Sequence, residues 1–352
     1  MPRRRTALLL GNYLSAKGYS RGFVEELADR LEAAGWICRR ASTIAWKPAR
    51  MLDMIHSALL YMRQVSVVHI PLYSGHAFVW AFVGAELAGL ARAPLVVSLH
   101  GGNLPEFSKR WPRAVRRVLQ RAEVVIAPSE YLRSALKPFR DDIIILPNPI
   151  EVTRYEFRER KPVMPRLIWL RAFHKIYNPT LAPRMLALLS QKYPDIHMLM
   201  IGSDKHDGTL EDTKRVAAEL GVSDRIEFHG VIAKSDVPVW LQKGDIFVNT
   251  TNVDNTPVSV LEAMACGLPV VTTNVGGIPY LLDDGRDALL VPPDDPPAMA
   301  AAVSRILDDQ RLARQLTQQG RGKVEGFDWD VMVLRWDELL RKAATHSRHF
   351  RR

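Results

Sequence analysis

The chain has 352 residues, a length that favours two domains over a single hydrophobic core. Its hydrophobic content of 47% and charged content of 24% exclude a disordered or fibrous protein and are ordinary for a globular one. The two cysteines, Cys38 and Cys266, lie far apart and lack the spacing of metal ligands. A disulfide scaffold is therefore not expected, and a reducing compartment fits the chain.

The net charge of +10 is carried entirely by the first half of the chain. Residues 1–150 contain 21 lysines and arginines against 11 acidic residues, whereas residues 151–352 contain 27 of each. Such asymmetry indicates an anionic partner, either a membrane surface or a nucleic acid. Because no helix-turn-helix, zinc or aromatic RNA-binding motif is present, a nucleic acid is not expected.

The sequence contains neither a signal peptide nor a segment that would span a bilayer. The longest apolar run, 77–90, is interrupted by Glu86 and is too short to cross a membrane. We therefore expect a cytoplasmic protein, in contact with the inner face of the cell membrane at most as a peripheral protein.

In the first half, short apolar runs alternate with helical patterns. Helices are predicted at Arg21–Ala34 and at Glu130–Leu136, the second capped by Ser129. The predicted strands are Thr6–Leu10, Val65–Ile70, Leu95–Leu99, Val124–Ala127 and Ile143–Leu146. This alternation implies parallel βαβ units in a doubly wound sheet.

The same pattern restarts after a break at Pro147-Asn148-Pro149 and a charged segment, 154–165. Predicted strands in the second half are Leu167–Leu170, His197–Ile201, Arg225–Phe228, Ile246–Asn249 and Val270–Thr273. Predicted helices are Pro179–Ser190, Leu210–Leu220, Pro238–Gln242 and Pro297–Leu307. The prediction is an α/β protein with domains at 1–155 and 156–325, two doubly wound sheets that face each other across a cleft.

One segment after the strand at Ile246–Asn249 places two acidic residues eight positions apart. Asp254 lies in a loop and Glu262 lies in the helix that follows, which Gly267 and Pro269 end. Thr256 is predicted to cap this helix and Pro257 to occupy its first position. The free N–H groups of the helix start favour an anion, so the segment suits a ligand with both hydroxyls and phosphates.

This segment resembles the donor-site signature of glycosyltransferase family 4, whose members are retaining enzymes of the GT-B fold. In that family two glutamates stand eight residues apart, and the second precedes Ala-Met-Ala and a Gly-x-Pro-Val-Val run. Glu262 matches the second glutamate, and Asp254 stands in the place of the first with a side chain one methylene shorter. The resemblance implies that Glu262 accepts hydrogen bonds from ribose hydroxyls and that Asp254 contacts the sugar. It implies backbone contacts to sugar and phosphate from Asn255, Thr256, Pro257 and Val258.

The resemblance extends to other strand ends. His100 precedes Gly101-Gly102, where family members carry His-x-Gly facing the transferred sugar, so His100 is expected to bind the donor sugar. Arg171 matches a family arginine at the pyrophosphate, and Lys175 follows it by four residues where the family has a lysine at five. By local sequence alone, a lone histidine at a strand end such as His100 is more often structural, and Arg171 is equally part of a solvated basic loop.

Glycines and apolar residues complete the expected donor site. Gly18 and Gly202 are candidates for close approach to the donor, although both also suit plain turns or helix caps. Val231 and Ile232 occupy the place where the family stacks the nucleotide base. Residues 326–352 comprise a basic tail preceded by Trp329, Val333, Trp336 and Leu340 at helical spacing, a helix that the resemblance sends back to the first domain.

The most basic window, Lys109–Arg121, is predicted as one amphipathic helix with Trp111 on its apolar face. It is either a solvated cationic face or a surface that docks on an anionic membrane leaflet.

Together these features predict a retaining hexosyltransferase that moves a sugar from a nucleotide-diphosphate sugar to an acceptor hydroxyl. The acceptor is a glycan or a glycolipid, in a lipid-linked, envelope or exopolysaccharide assembly. No Asp-x-Asp motif follows a strand, so no metal and no cofactor beyond the donor are expected. Two alternatives remain: a weakened sugar-nucleotide-binding subunit, and a GT-B epimerase or phosphorylase.

Overall fold

The structure is a computed structural model that describes residues 5–19 and 21–349. It divides into two compact units. The N-terminal unit comprises the described residues up to Pro147 together with those from Trp329 onward, and the C-terminal unit is Asn148–Asp328. The end of the predicted basic tail lies outside the described residues.

The N-terminal unit alternates strands and helices, and the described residues form one parallel sheet. Its strands are β1 (Thr6–Leu10), β2 (Ile37–Ala41), β3 (Val67–Leu72), β4 (Leu95–Leu99), β5 (Val124–Ala127) and β6 (Ile144–Ile145). Its helices are α1 (Phe23–Ala33), α2 (Lys47–Tyr61), α3 (Phe78–Ala91), α4 (Leu104–Arg110), α5 (Pro112–Arg121), α6 (Glu130–Leu136) and, at the end of the chain, α14 (Trp329–His349).

The C-terminal unit repeats the arrangement with a second parallel sheet. Its strands are β7 (Arg166–Leu170), β8 (His197–Ile201), β9 (Ile226–His229), β10 (Ile246–Asn249), β11 (Val270–Thr273) and β12 (Leu289–Val291). Its helices are α7 (Leu181–Ser190), α8 (Thr209–Glu219), α9 (Val237–Leu241), α10 (Val258–Ala265), α11 (Ile278–Leu281), α12 (Pro296–Asp308) and α13 (Gln310–Glu325).

Both sheets are doubly wound, which confirms the predicted fold class. Among the described residues the strand orders are β2-β1-β3-β4-β5-β6 and β12-β11-β10-β7-β8-β9. The order reverses between β1 and β3 in the first sheet and between β7 and β10 in the second. At such a switch point the connections leave in opposite directions and open a crevice at the carboxyl ends of the strands.

The central strands are continuous apolar runs because both faces of each sheet are covered. Every residue of β4, β5, β10 and β11 is buried. Strands buried on both faces cannot alternate apolar and polar residues, and their uniform hydrophobicity makes them recognisable in the sequence.

Helix α14 is a core-packed helix, and it belongs to the N-terminal unit. Trp329, Trp336 and Leu340 are buried, and both indole rings contact Phe23 of α1, at 6.0 and 5.5 Å between ring centroids. The indole N–H of Trp329 donates to Glu26 Oε2 at 3.1 Å. One face of this long helix therefore completes the unit that the first 147 residues begin.

The prediction of a single basic helix is wrong. The window is split into α4 and α5 at Trp111, whose backbone (φ −125°, ψ 53°) is not helical. Pro112 causes the break, because a proline disfavours helical geometry in the residue before it and itself suits the first helical position. Trp111 is 53% exposed instead of packing with the apolar face of α5.

Several elements of the structure were not among the helices and strands predicted from the sequence. They are β2, α2, α3, α4, α11, β12 and α13.

We expect Trp336→Ala to lower the free energy of unfolding by about 3–5 kcal/mol, because it removes a large side chain that is only 2% exposed. The control Leu334→Ala lies in the same helix at 66% exposure and should change it by less than about 0.5 kcal/mol. Urea unfolding followed by circular dichroism measures both, and equal effects would contradict the packing of α14.

Candidate functional site

The candidate site of the C-terminal unit lies where its strand order reverses. Arg171 directly follows β7, and the loop that contains Asp254 follows β10, the strand paired with β7. Because the carboxyl ends of parallel strands share one edge of the sheet, two sequence segments some 80 residues apart meet there. The structure thus brings together Arg171 and Asp254, two of the residues predicted from sequence.

Arg171 is held from several sides. Its guanidinium forms an ion pair with the Asp254 carboxylate, and its Nε lies 3.5 Å from Asn249 Oδ1. The guanidinium carbon stands 4.8 Å from the centroid of the Tyr177 ring, a cation–π contact. Burial lowers the pKa of Arg171, while Tyr177 and Glu262 raise it, and an arginine stays charged under such conditions.

Helix α10 begins one residue later than expected. Pro257 is its N-cap residue (φ −69°, ψ 104°) rather than its first helical residue, and no side chain caps the helix, so the predicted cap by Thr256 is wrong. Pro257 keeps an extended backbone and moves Thr256 outside the helix, beyond the capping position. Among the described residues, the buried hydroxyls of Thr256 and Ser259 have no hydrogen-bond partner. The first turn is partly satisfied, because the N–H of Val260 donates to the Pro257 carbonyl at 3.1 Å, whereas the two hydroxyls are left for a ligand.

Glu262 is buried in α10, one turn after Ser259. Its Oε1 accepts a hydrogen bond of 2.8 Å from the Tyr155 hydroxyl. Burial raises the pKa of Glu262, and the Tyr155 hydrogen bond and the charges of Lys234 and Arg171 offset this only in part. Burial, together with the Glu262 charge, also raises the pKa of Tyr155. No local sequence pattern indicates the role of Tyr155, because it lies 107 residues before its partner.

Two glycines fix the backbone of the Asp254 loop. The N–H of Gly277 donates to the Asp254 carbonyl at 2.9 Å, and the N–H of Asn255 donates to Asp254 Oδ1 at 2.8 Å. A Cβ on Gly276 would collide with the Asp254 carbonyl oxygen, and one on Gly277 with that of Asn255. The glycine pair is therefore required for the close approach of the two loops.

Two other residues predicted from the sequence, Gly202 and Lys175, lie in neighbouring loops of the C-terminal unit. Gly202 follows β8, and a Cβ there would collide with the carbonyl oxygen of Arg171, while its N–H donates to the His229 carbonyl at 3.1 Å. Gly202 thus permits the strand end that carries Arg171. Lys175 is exposed in a short 3₁₀ turn and donates its backbone N–H to Asp207 Oδ2 at 3.0 Å.

Gly18 lies in the N-terminal unit, in the loop between β1 and α1. Its φ of +82° is left-handed, and its N–H donates to Ser15 at 3.0 Å, which closes a turn. This is the plain turn that sequence reasoning kept as an alternative.

His100 follows β4 and ends a buried polar chain. Its Nε2 lies 2.9 Å from Ser98 Oγ, which in turn lies 2.8 Å from Nε2 of His69. The imidazole of His100 has the rings of Tyr73 and Phe23 beside it, each with its centroid at 5.0 Å. Ser98 and His100 are two residues apart, and alternate residues of an extended chain point to the same side, so the sequence spacing indicates that they can meet. No local sequence pattern indicates that His69, on β3, joins them.

Burial makes both histidines neutral near pH 7. It lowers the pKa of His100 from 6.5 to about 4, and burial together with His100 lowers the pKa of His69 to about 3. At neutral pH His100 is therefore able to donate or accept a hydrogen bond but carries no charge.

Several cations of the basic window, Lys109–Arg121, form ion pairs with neighbouring glutamates. Arg117 and Arg121 both bind Glu86, with the shortest contacts at 2.5 and 3.0 Å, and Lys109 pairs with Glu106 at 2.6 Å. Within the described part of the chain, Arg110, Arg113 and Arg116 have no such ion pair. In the part of the chain that the structure describes, no helix is both long enough and apolar enough to traverse a bilayer.

Comparison with known proteins covers most of the chain. Residues 4–154 match the family model described as glycosyltransferase family 4, and residues 165–309 match that described as glycosyl transferases group 1. The GDP-mannose-dependent alpha-(1-6)-phosphatidylinositol monomannoside mannosyltransferase of Mycolicibacterium smegmatis is 28% identical, over 90% of this chain and 87% of that protein. The D-inositol 3-phosphate glycosyltransferase of Paenarthrobacter aurescens is 24% identical, over 77% and 72%.

The likeness to solved structures concerns the fold. Anabaena HepE in complex with UDP and glucose matches with a TM-score of 0.75 at 17% identity, over 96% of this chain and 100% of that one. The pair of doubly wound sheets is thus shared across the whole chain.

We expect Glu262→Gln to raise the melting temperature at pH 7–8. The pKa of Glu262 is raised above its ordinary value of 4.5, so its ionisation costs stability as the pH rises from about 4.5 through the pKa of the folded protein. The gain should shrink towards pH 4.5, and Glu211→Gln, at an exposed position of the same unit, is the control. Differential scanning fluorimetry from pH 4.5 to 8 is the measurement, and a gain that is the same at every pH would refute the assignment.

The two buried histidines should make the protein sensitive to acid. Because their pKa values are depressed, the stability they contribute is complete above pH 6.5 and is lost as the pH falls towards 4. The double variant His69→Gln, His100→Gln should therefore lose less melting temperature than the wild type between pH 7 and 4. Exposed His56→Gln serves as the control, and parallel curves for wild type and double variant would contradict burial of neutral imidazoles.

Proposed function

Since the chain belongs to the group 1 glycosyltransferases of family 4 and has their GT-B fold, we propose that it is a retaining hexosyltransferase. It moves a sugar from a nucleotide-diphosphate sugar to an acceptor hydroxyl. The observation that carries the proposal is the convergence of Arg171, Asp254 and Glu262 at the switch point of the C-terminal sheet, next to the uncapped start of α10.

The diphosphate is bound by charge and by N–H groups. Arg171 supplies a buried cation with a planar fork that suits phosphate oxygens. The first turn of α10 supplies N–H groups, and the hydroxyls of Thr256 and Ser259 supply further donors. Because these donors are fixed and buried, they stabilise the negative charge that develops on the leaving diphosphate. We expect no metal ion to be needed for this role.

Glu262 binds the ribose of the donor. A buried carboxylate accepts hydrogen bonds only, so two vicinal hydroxyls are suitable partners. Tyr155 already occupies Oε1 and fixes the orientation of the carboxylate, which directs Oε2 to the ribose. Binding of hydroxyl donors also compensates for the burial of this charge.

The reaction itself needs no covalent enzyme intermediate. The bond between the anomeric carbon and the phosphate oxygen breaks, the acceptor oxygen bonds to that carbon on the same face, and the acceptor proton passes to the departing phosphate. Asp254 is paired with Arg171 and is thereby a poor nucleophile, which supports this course. Asp254 instead contacts sugar hydroxyls, and neutral His100 is a hydrogen-bonding group for the sugar.

The acceptor is a hydroxyl near an anionic group. The two curated relatives act, by their names, on a phosphatidylinositol mannoside and on an inositol phosphate. The excess positive charge of residues 1–150 favours such an acceptor here as well. Arg110, Arg113 and Arg116 give α4 and α5 a cationic surface for peripheral contact with an anionic membrane.

We expect Arg171→Ala to lower donor turnover about 100-fold or more, and Glu262→Gln about 10- to 100-fold, the effect of losing hydrogen bonds to a charged group. Donor turnover is measured as release of nucleoside diphosphate from UDP-, GDP- and ADP-sugars with an acceptor panel. Exposed Arg184→Ala and Glu211→Gln are the matched controls in the same unit. Because Glu262→Gln should melt higher than the wild type, its loss of turnover would not reflect unfolding.

Three results would overturn the proposal. Full turnover in both site variants would remove the site. Donor binding without transfer across the panel would make the chain a binding subunit. A product with inverted anomeric configuration would exclude the retaining course.

A further inference from the structure

The N-terminal unit contains an apolar cavity of about 310 Å³, within the size range of small-molecule sites. It lies between α2 and α3. Its walls include Met51, Met54 and Ile55 from α2, and Trp80, Ala81 and Leu87 from α3.

The position of the cavity is that of a substrate site. Its floor is formed by the carboxyl ends of β1 and β3, including Leu10 and Ile70. These are the two strands between which the first sheet reverses its order, and ligands of doubly wound sheets bind at this point.

The cavity adjoins His100 through two shared walls. Phe23 and Tyr73 line it, and the centroid of each ring lies 5.0 Å from that of the His100 imidazole. A group bound in the cavity is therefore one aromatic ring away from the residue that the proposed function places at the transferred sugar.

The polar groups of the cavity stand at its mouth. Lys47 and His76 line it and are exposed. Arg50 also lines the cavity, but its guanidinium is occupied by hydrogen bonds within the protein. It donates to the carbonyls of Ile44 and Ala45 and to Asn12 Oδ1, at 2.5–2.7 Å. A mobile cation at the mouth of an apolar cavity complements an anion attached to an apolar chain.

Apolar surface continues outside the cavity. Leu52 and Leu59 stand seven residues apart on one side of α2 and are 68% and 67% exposed. A second apolar groove, lined by Phe78, Phe82, Phe107 and Trp111, shares His76 with the cavity. A chain longer than the cavity would thus find further apolar contacts.

We propose that this cavity binds the alkyl chain of a lipid-linked acceptor, with the phosphate of its linkage at Lys47. A sugar would leave its hydroxyls without partners along these walls, whereas an alkyl chain is matched by them. The inference rests on the proposed function, because the alkyl chain belongs to an acceptor only if the protein transfers a sugar to a hydroxyl near His100.

Isothermal titration of the full-length protein with butyl, hexyl and octyl phosphate, below their micellar concentrations, tests the cavity. The affinity should rise about fourfold for each added methylene. Ile55→Trp and Ala58→Leu fill the cavity and should remove this dependence on chain length, whereas Leu59→Trp, exposed on the same helix, should keep it. Lys47→Gln should weaken octyl phosphate about fivefold and leave octyl glucoside unchanged.

The titrations of the wild-type protein with the three alkyl phosphates test the proposal even if the cavity variants do not fold. An affinity that is independent of chain length would overturn the proposal, as would an unchanged chain-length dependence in a correctly melting Ile55→Trp protein. Thermal shifts with UDP and GDP on the same preparations, together with the transfer assay, report on the proposed function separately. If the protein transfers sugar but its affinity for alkyl phosphates does not depend on chain length, only the proposed role of the cavity is refuted. If neither UDP nor GDP binds, the proposed function itself is refuted.

Discussion

The constraint on which the site depends is the reversal of strand order between two neighbouring parallel strands. Connections from β7 and β10 leave the edge of the sheet in opposite directions, so their first residues are not covered by a helix from either side. Arg171 and Asp254 occupy this gap and neutralise each other. Gly202, Gly276 and Gly277 are then required because three loops share a space too small for a Cβ. The chemistry of the site follows from the topology of the sheet, with the side chains supplying charge.

Burial of charge makes this arrangement costly in the absence of a ligand. Glu262 is buried, and the side chains of Arg171 and Asp254 are only 15% and 12% exposed. Glu262 is left with only Tyr155 as a direct hydrogen-bond partner among the described residues. Replacing a whole buried ion pair by well-packed neutral side chains of similar volume is often neutral or stabilising, so the stability of the fold alone does not account for these charged residues. Under the proposed function, the hydroxyls and phosphates of the donor would offset this cost. Stability and binding therefore act in opposite directions at this site.

The sequence predicted the elements whose signal is local. The central strands were found because burial on both faces makes them continuous apolar runs, and Ser129 was found as the cap of α6, where its hydroxyl accepts from Leu132. The start of α10 and the break at Trp111 were misplaced for one physical reason: a proline acts on its own φ and also on the residue before it. The candidate site was predicted where a family signature spans it. Tyr155, Tyr177 and His69 were missed because their roles arise from contacts across the fold, which leave no trace in local spacing.

The aspartate at position 254 fits its surroundings better than a simple shortening of a glutamate would suggest. The loop that carries Asp254 is pressed against the glycine pair, and its carboxylate accepts the N–H of the next residue, Asn255, through Oδ1. The same short side chain still pairs with Arg171, because β7 delivers the arginine to the shared edge of the sheet. The pair of Arg171 and Asp254 is thus retained, although Asp254 departs from the family signature by one methylene.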